Sequence, residues 1–214
     1  MSVTQTPAPA RSDLERGATS PTSTSDGARP FRLHGGMLTA GAVAWAVAIA
    51  AFGADPGQES VPLIGFALGS GFFQVGVLFL LRVLWRTRAL GAGRLARFVL
   101  RAEVVALSLA IASTTVDALR LSDLTQPGWL MLDLCWPLSM LGMFLIGIRI
   151  AVAGRWTGAS RYWPMVAESW AVVTVPALGI GGPSVARVVG AAHLLVGYAV
   201  LGRIVARKRA GGDV

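Results

Sequence analysis

The sequence predicts an all-α fold: a polytopic transmembrane bundle of six helices, preceded by a disordered N-terminal tail. Of the 214 residues, 54% are hydrophobic and only 14% are charged, whereas a soluble domain normally carries about 25% charged residues. Long runs at residues 35–53, 62–81 and 169–186 contain no charge. Because a helix needs about 20 mostly apolar residues to cross the hydrocarbon of a bilayer, these runs predict membrane spans.

The ends of the chain differ from this apolar domain. Residues 1–33 are rich in Ser, Thr, Pro and Ala, so they cannot bury enough surface to fold and are predicted to form a disordered cytoplasmic tail. The domain at 34–206 follows, and a short basic tail occupies 207–214. The first span also has small residues suited to signal-peptide cleavage, but its polar lead is longer than a usual signal peptide has. The predicted helices span about 35–53, 62–84, 98–119, 128–150, 162–180 and 184–205.

Small residues mark packing faces on the second and sixth helices. Gly65 and Gly69 form a GxxxG pair, and Ala186 and Gly190 form a second pair of small residues at the same spacing. Such pairs let helices approach closely, either within one chain or between two copies in a homo-oligomer. The two helices also align with each other, since Pro62, Gly69 and Gly76 are matched by Pro183, Gly190 and Gly197. Duplicated helices are frequent in transporters, so an internal repeat is a hypothesis here.

The third and fourth helices each carry acidic side chains. Glu103 lies near Arg97 and Arg101, so it is expected either to reach the membrane interface or to pair with these arginines. Its helical face continues through small and polar residues to Asp117, which suits close packing or a wet cavity. In the fourth helix, Asp133 has Arg187 as a plausible ion-pair partner. Pro137 frees a backbone carbonyl that Ser139 or water is expected to satisfy.

The last two helices contain the other unusual polar residues. Glu168 has no basic residue within one helical turn, and Pro164 is expected to distort the helix before it. His193 shares one face with Gly190 and Gly197, so it should point into the bundle. Asp133, His193 and Glu168 are predicted at depths of about 8, 13 and 21 Å below the outer surface. Because charges inside a membrane are costly, each of these residues is a candidate functional group or a satisfied structural one.

Arginines predict the direction of the chain in the membrane. From position 29 onward, every arginine and lysine except Arg120 and Arg187 falls on one side of the predicted spans. Basic residues accumulate on the cytoplasmic side of membrane proteins, so both termini are predicted to be cytoplasmic. The connection RTRALGAGRLAR, residues 86–97, is expected to meet anionic lipid headgroups, either nonspecifically as a topology determinant or as a binding site.

Composition also excludes several classes of function. The net charge of +8 is explained by the arginines beside the spans, so nucleic acid is not an expected partner. One cysteine and two histidines leave no conventional metal site, and no cofactor is predicted.

The runs DLCWPLSMLGM, GRWTGASRYWP and HLLVGYAVLG resemble small six-helix integral membrane proteins of high-GC bacteria, over about residues 128–205. That resemblance implies architecture and a bacterial plasma membrane location, with no activity attached.

Three functions remain open from the sequence. A small transporter would use Asp133, His193 and Glu168 as a proton path. A membrane scaffold or subunit would need no motif, would have membrane-protein partners, and fits the absence of any strong catalytic signature. The alternative is a membrane-embedded enzyme acting on a lipid-like or isoprenoid substrate through Glu168, Glu103 or Asp133. Asp133 and Glu168 differ too much in depth to form a pair of acids, whereas Glu103 and Glu168 are level.

Overall fold

A computed structural model describes residues 31–54, 57, 59–123 and 125–208. Every regular element in these ranges is a helix, so the predicted all-α fold is confirmed. The tail predicted at 1–33 falls outside the described residues up to position 30, as does the C-terminal tail from position 209. The first four helices are α1 (Arg32–Phe52), α2 (Ser60–Arg86), α3 (Arg94–Ala118) and α4 (Pro127–Asp133 and Cys135–Ala153, with a break at Leu134).

Helices α5 and α6 form a hairpin. Helix α5 begins with Ala159–Glu168 and continues after a turn at Ser169, and α6 ends with a π-helical turn and a last α-helical segment. The stretch Trp170–His193 belongs to both helices, because Gly182 has a φ of 76° and a ψ of −176° that no helix contains. Across this reversal, Trp170 Nε1 donates a hydrogen bond to the Gly190 carbonyl at 3.0 Å. The described residues therefore form six helices, as predicted.

Among the described residues, four helical stretches are long and apolar enough to cross a membrane: α1, α2, α4 and Trp170–Arg207. The last contains 38 residues, which would extend about 57 Å as one straight helix and exceed the roughly 30 Å of hydrocarbon. The chain reverses direction at Gly182, so these 38 residues are divided between two helices. Helix α3 is not among the four stretches, and its sequence between Arg94 and Asp117 carries several charged residues.

The helices form a closed ring. Each one contacts the next along the chain, and α6 returns to pack against α1. The interior is mostly apolar, with Leu38, Ile49, Ile150 and Leu201 fully buried. The outer surface carries large apolar side chains, as at Ile180, which is 90% exposed. An apolar exterior around an apolar interior is expected where lipid replaces water as the solvent, so the chain is a polytopic membrane protein.

Glycines set the closest helix contacts. A Cβ added to Gly35 of α1 would collide with the backbone of Gly202 in α6, and a Cβ on Gly76 would lie 2.9 Å from the Met37 carbonyl oxygen. A Cβ on Gly69 would lie 2.8 Å from Ala48 Cβ, also in α1. Ala186 is fully buried. The small-residue pairs are therefore used for packing inside one chain.

The glycines of the suspected repeat occupy equivalent places in two hairpins. Gly69 and Gly76 of α2 face the preceding helix, α1, and Gly190 and Gly197 of α6 face the preceding helix, α5. A Cβ on Gly190 would lie 3.1 Å from Thr174 Cγ2, and one on Gly197 would lie 3.0 Å from Ala167 Cα. The common spacing agrees with a repeat. Close hairpin packing alone requires the same spacing, so the repeat stays a hypothesis.

Candidate functional site

Glu103 projects from α3 into the bundle and is only 6% exposed. The hydroxyl of Ser139 in α4 donates a hydrogen bond to Glu103 Oε1 at 2.5 Å. The predicted ion pairing with Arg97 and Arg101 is wrong, because the carboxyl turns toward Ser139 and Gly142 of α4 and forms no ion pair in the described part of the chain. Gly142 provides the space, since a Cβ at that position would collide with Glu103 Oε2. Ser139 is therefore occupied by this carboxyl and does not satisfy the carbonyl freed by Pro137.

Glu168 of α5 is also buried, and its carboxyl contacts α6. The Tyr198 hydroxyl donates a hydrogen bond to Glu168 Oε2, while Oε1 is buried without a hydrogen-bond partner. Tyr198 lies in the π-helical turn Leu194–Ala199. Such turns insert an extra residue into a helix and are frequent at functional sites. Here the turn presents Gly197 to α5 and leaves its neighbour Tyr198 against Glu168.

Glu103 and Glu168 are both buried in the bundle, within electrostatic range of each other, and no hydrogen bond joins the two carboxyls in the described part of the chain. Together with Ser139 and Tyr198 these residues come from four different helices, and they are called the acid centre below. Within residues 31–54, 57, 59–123 and 125–208, no arginine, lysine or histidine forms an ion pair with either carboxyl. Two buried acids held only by hydroxyl groups are costly in free energy, and such groups are functional candidates by default.

An aromatic cluster adjoins the acid centre. Trp45 of α1 is 1% exposed and stacks on Phe73 at a ring-centroid distance of 4.8 Å. Trp170 and Trp136 lie 4.9 and 5.5 Å from the same indole. Phe73 in turn meets the Tyr198 ring edge-on at 4.7 Å. Aromatic rings from α1, α2, α4, α5 and α6 therefore form one connected cluster, which reaches the acid centre through Tyr198.

The structure does not join the three residues of the predicted proton path. His193 was expected to point into the bundle; its side chain is half-buried, and its Nε2 contacts the α5 backbone carbonyls of Val166 and Ala167 at 3.0 and 3.3 Å. Asp133 is half-buried and lies within electrostatic range of Asp117. The expected ion pair between Asp133 and Arg187 is not formed. No hydrogen bond links Asp133, His193 and Glu168 to one another in the described part of the chain.

A groove runs between the N-terminal part of α3 and the C-terminal part of α4. Its volume is about 740 Å³, and its walls are mostly apolar. At one end, called its deep end, the groove is lined by Gly142, the residue that lies against Glu103. At the opposite end, called its mouth, it is lined by Arg149 and Arg155. Seven residues of helix separate Gly142 from Arg149, a distance of about 10 Å along the axis.

The two groove arginines are available to a ligand. Both are exposed, and neither has a hydrogen-bond or ion-pair partner among the residues that the structure describes. Arg161 differs, because its Nε donates a hydrogen bond to the Ala151 carbonyl at 2.7 Å. That bond satisfies an orphan carbonyl at the end of α4, which is a structural task. Arg149 and Arg155 have no comparable task in the fold.

Sequence reasoning missed Tyr198, Gly142 and the groove. A regular helix places Tyr198 about 100° away from Gly197, so the inward face of α6 did not include it. The π-helical turn changes that register, and no local residue pattern announces it. The significance of Gly142 depends on a carboxyl in another helix. Arg149 and Arg155 had been assigned only to orientation in the membrane.

No group of three or more His, Cys, Asp or Glu side chains in the described ranges is arranged to hold a metal ion. Comparisons of the chain with protein-family models, curated proteins and solved structures found no match.

Proposed function

We propose that this protein binds a lipid-like molecule with an anionic headgroup from the cytoplasmic leaflet of the bacterial plasma membrane. The observation that carries this proposal is the groove, which joins a long apolar surface to two unpaired arginines. Apolar walls suit an acyl or isoprenoid chain, and guanidinium groups suit a phosphate oxygen. The positive-inside pattern of the arginines supports cytoplasmic termini, which places the mouth of the groove at the inner leaflet.

The deep end of the groove lies next to the acid centre, so a bound lipid would approach Glu103. A chain that follows α4 from Arg149 reaches Gly142 after about 10 Å. Glu103 Oε2 lies directly behind this glycine and accepts no hydrogen bond from the described residues. An enzyme that acts on a lipid-like or isoprenoid substrate would therefore use Glu103 as the first acid that the substrate meets. Glu168 does not line the groove. A lipid-binding subunit or scaffold would use the same groove without chemistry at the acid centre.

Lipid binding is measurable on the purified full-length chain in mild detergent. Native mass spectrometry with phosphatidylglycerol gives the affinity of the wild type and of Arg149→Gln/Arg155→Gln. Each basic residue near an anionic surface contributes about 1 kcal/mol, so removing two should weaken binding by about 25-fold. Leu145→Trp should also weaken binding, because Leu145 lines the groove.

Matched controls separate the groove from general surface effects. Arg203→Gln removes an exposed arginine at the cytoplasmic end of α6, outside the groove, and Val188→Trp enlarges an outward-facing side chain. Both variants should bind phosphatidylglycerol like the wild type. If the control arginine weakens binding as much as Arg149 and Arg155 do, the affinity reflects overall charge and the proposed function is wrong.

Proton-coupled transport is the second candidate function, and one observation favours it. Glu168 Oε1 is buried without a partner, and such an atom is suited to exchange a proton with a transient water or solute. The aromatic cluster and the lack of bonds to Asp133 count against a continuous path. In reconstituted vesicles, Glu168→Gln should abolish proton-coupled uptake if this function is correct, and unchanged uptake would leave Glu168 a structural acid.

A further inference from the structure

A second cavity lies on the other side of the start of α3. Its volume is about 320 Å³, and its lining includes Trp85, Arg88, Arg97 and Arg101. The Arg101 guanidinium lies over the Trp85 ring at 5.5 Å from the centroid. This cavity is called the basic pocket below. It differs from the groove in having three arginines in its wall and a smaller volume.

The basic pocket and the groove are neighbours. Gly91, Ala92 and Ala96 line both of them. A Cβ added to Gly91 or Gly93 would meet nothing within 4 Å, so the backbone between the two cavities is open. Gly91 has a φ of +115°, a conformation that other residues rarely adopt. The connection from α2 to α3 is therefore exposed and lacks side chains at its glycines, and it separates two cavities that are each lined by arginines. This connection is called the glycine ridge below.

Positive charge at this ridge has no acidic counterpart in the nearby sequence. Residues 82–102 and 134–161 contain arginines and no aspartate or glutamate. Helix α3 begins at Arg94, its N-cap Gly93 supplies no side-chain hydrogen bond, and its first turn has no acidic residue. The positive end of the helix dipole therefore adds to the arginines around it. Anionic groups placed in both cavities would relieve this repulsion from two sides.

We propose that the groove and the basic pocket together bind one lipid whose headgroup carries two phosphate groups. This inference rests on the proposed function and adds the class of headgroup. One phosphate meets Arg149 and Arg155 at the mouth of the groove, and the other crosses the glycine ridge to Arg88 and Arg97. The acyl chains follow the apolar walls of the groove. A lipid with a single phosphate occupies only one of the two positions.

The test compares cardiolipin, which has two phosphates, with phosphatidylglycerol, which has one. Native mass spectrometry of the full chain in detergent gives both affinities. Two further arginine contacts at about five-fold each predict that cardiolipin binds about 25-fold more tightly. Arg88→Gln/Arg97→Gln should reduce the affinity for cardiolipin to that for phosphatidylglycerol and leave phosphatidylglycerol binding unchanged. The control Arg203→Gln/Arg207→Gln should preserve the preference.

The outcomes separate this inference from the function on which it rests. Equal binding of both lipids by the wild type overturns the inference, and so does an equal loss for both lipids in Arg88→Gln/Arg97→Gln. If Leu145→Trp still weakens phosphatidylglycerol in either case, the groove remains a lipid site. If Leu145→Trp and Arg149→Gln change neither affinity, the proposed function itself is wrong. Folding of every variant is checked by its thermal unfolding in the same detergent.

Discussion

Gly142→Ala is predicted to change the free energy of unfolding in opposite directions, depending on whether Glu103 is present. In the wild type, a Cβ on Gly142 would collide with Glu103 Oε2 and lie 3.2 Å from Cδ. Gly142→Ala should therefore push the carboxyl away and break its hydrogen bond to Ser139. In a background lacking the carboxyl, the same substitution should meet open space. The two residues are predicted to be coupled in stability.

The magnitude follows from two opposing contributions. Losing a hydrogen bond to a charged or strongly polar buried group costs about 1.5–3 kcal/mol. Replacing glycine by alanine inside a helix contributes about 1 kcal/mol of stabilisation. Gly142→Ala should therefore lower the free energy of unfolding by about 0.5–2 kcal/mol in the wild type. In the Glu103→Ala background it should raise the free energy of unfolding by about 1 kcal/mol.

The assay is a double-mutant cycle on the purified protein. Unfolding by a denaturing detergent or by heat, followed by tryptophan fluorescence or helical circular dichroism, gives each free energy. The cost of Glu103→Ala itself cancels in the cycle, so only the coupling remains. A coupling energy of about 1.5–3 kcal/mol is expected. An equal effect of Gly142→Ala in both backgrounds would refute the placement of Glu103 over this glycine.

Three other predictions follow from the packing and orientation of the helices. Tyr198→Phe should cost about 1–3 kcal/mol in the wild type, because it leaves the Glu168 carboxyl without its donor, and far less in a Glu168→Leu background; equal costs would contradict the hydrogen bond. Gly35→Ala should lower the melting temperature because its Cβ meets the backbone of α6, whereas the adjacent Gly36→Ala should not, since nothing lies within 4 Å of its Cβ. A reporter fused after Gln126 should be external and one at the C-terminus cytoplasmic, and the reverse pattern would overturn the assigned orientation.

The membrane fold could be predicted because its signal is carried by single segments. Uncharged runs identify α1, α2 and the α5–α6 hairpin without knowledge of any neighbour. The boundaries were less certain: α3 begins at Arg94 and not at about 98, and α2 extends to Arg86. Arginine side chains tolerate the membrane boundary because their long stems reach toward water, so charge alone does not end a helix.

The acid centre was predictable only in part. The level positions of Glu103 and Glu168 follow from helix rise, and the structure buries both carboxyls in the interior of the bundle. The hydroxyl partners do not follow, because they depend on helix rotation and on the π-helical turn that places Tyr198. The groove was hidden for a similar reason, since a cavity is a property of two helices and of the space between them. The binding role proposed for Arg149 and Arg155 depends on that space.

Photo-crosslinking tests the central claim most directly, namely that the groove between α3 and α4 holds a lipid of the cytoplasmic leaflet. The full chain is reconstituted in nanodiscs with phosphatidylglycerol that carries a photoreactive diazirine in its acyl chain, and the labelled residues are mapped by peptide mass spectrometry. The account predicts labelling concentrated at Ala96, Val99, Gly142 and Leu145, and reduced in Arg149→Gln/Arg155→Gln. Labelling spread evenly over all lipid-facing helices, or unchanged in that variant, would contradict it.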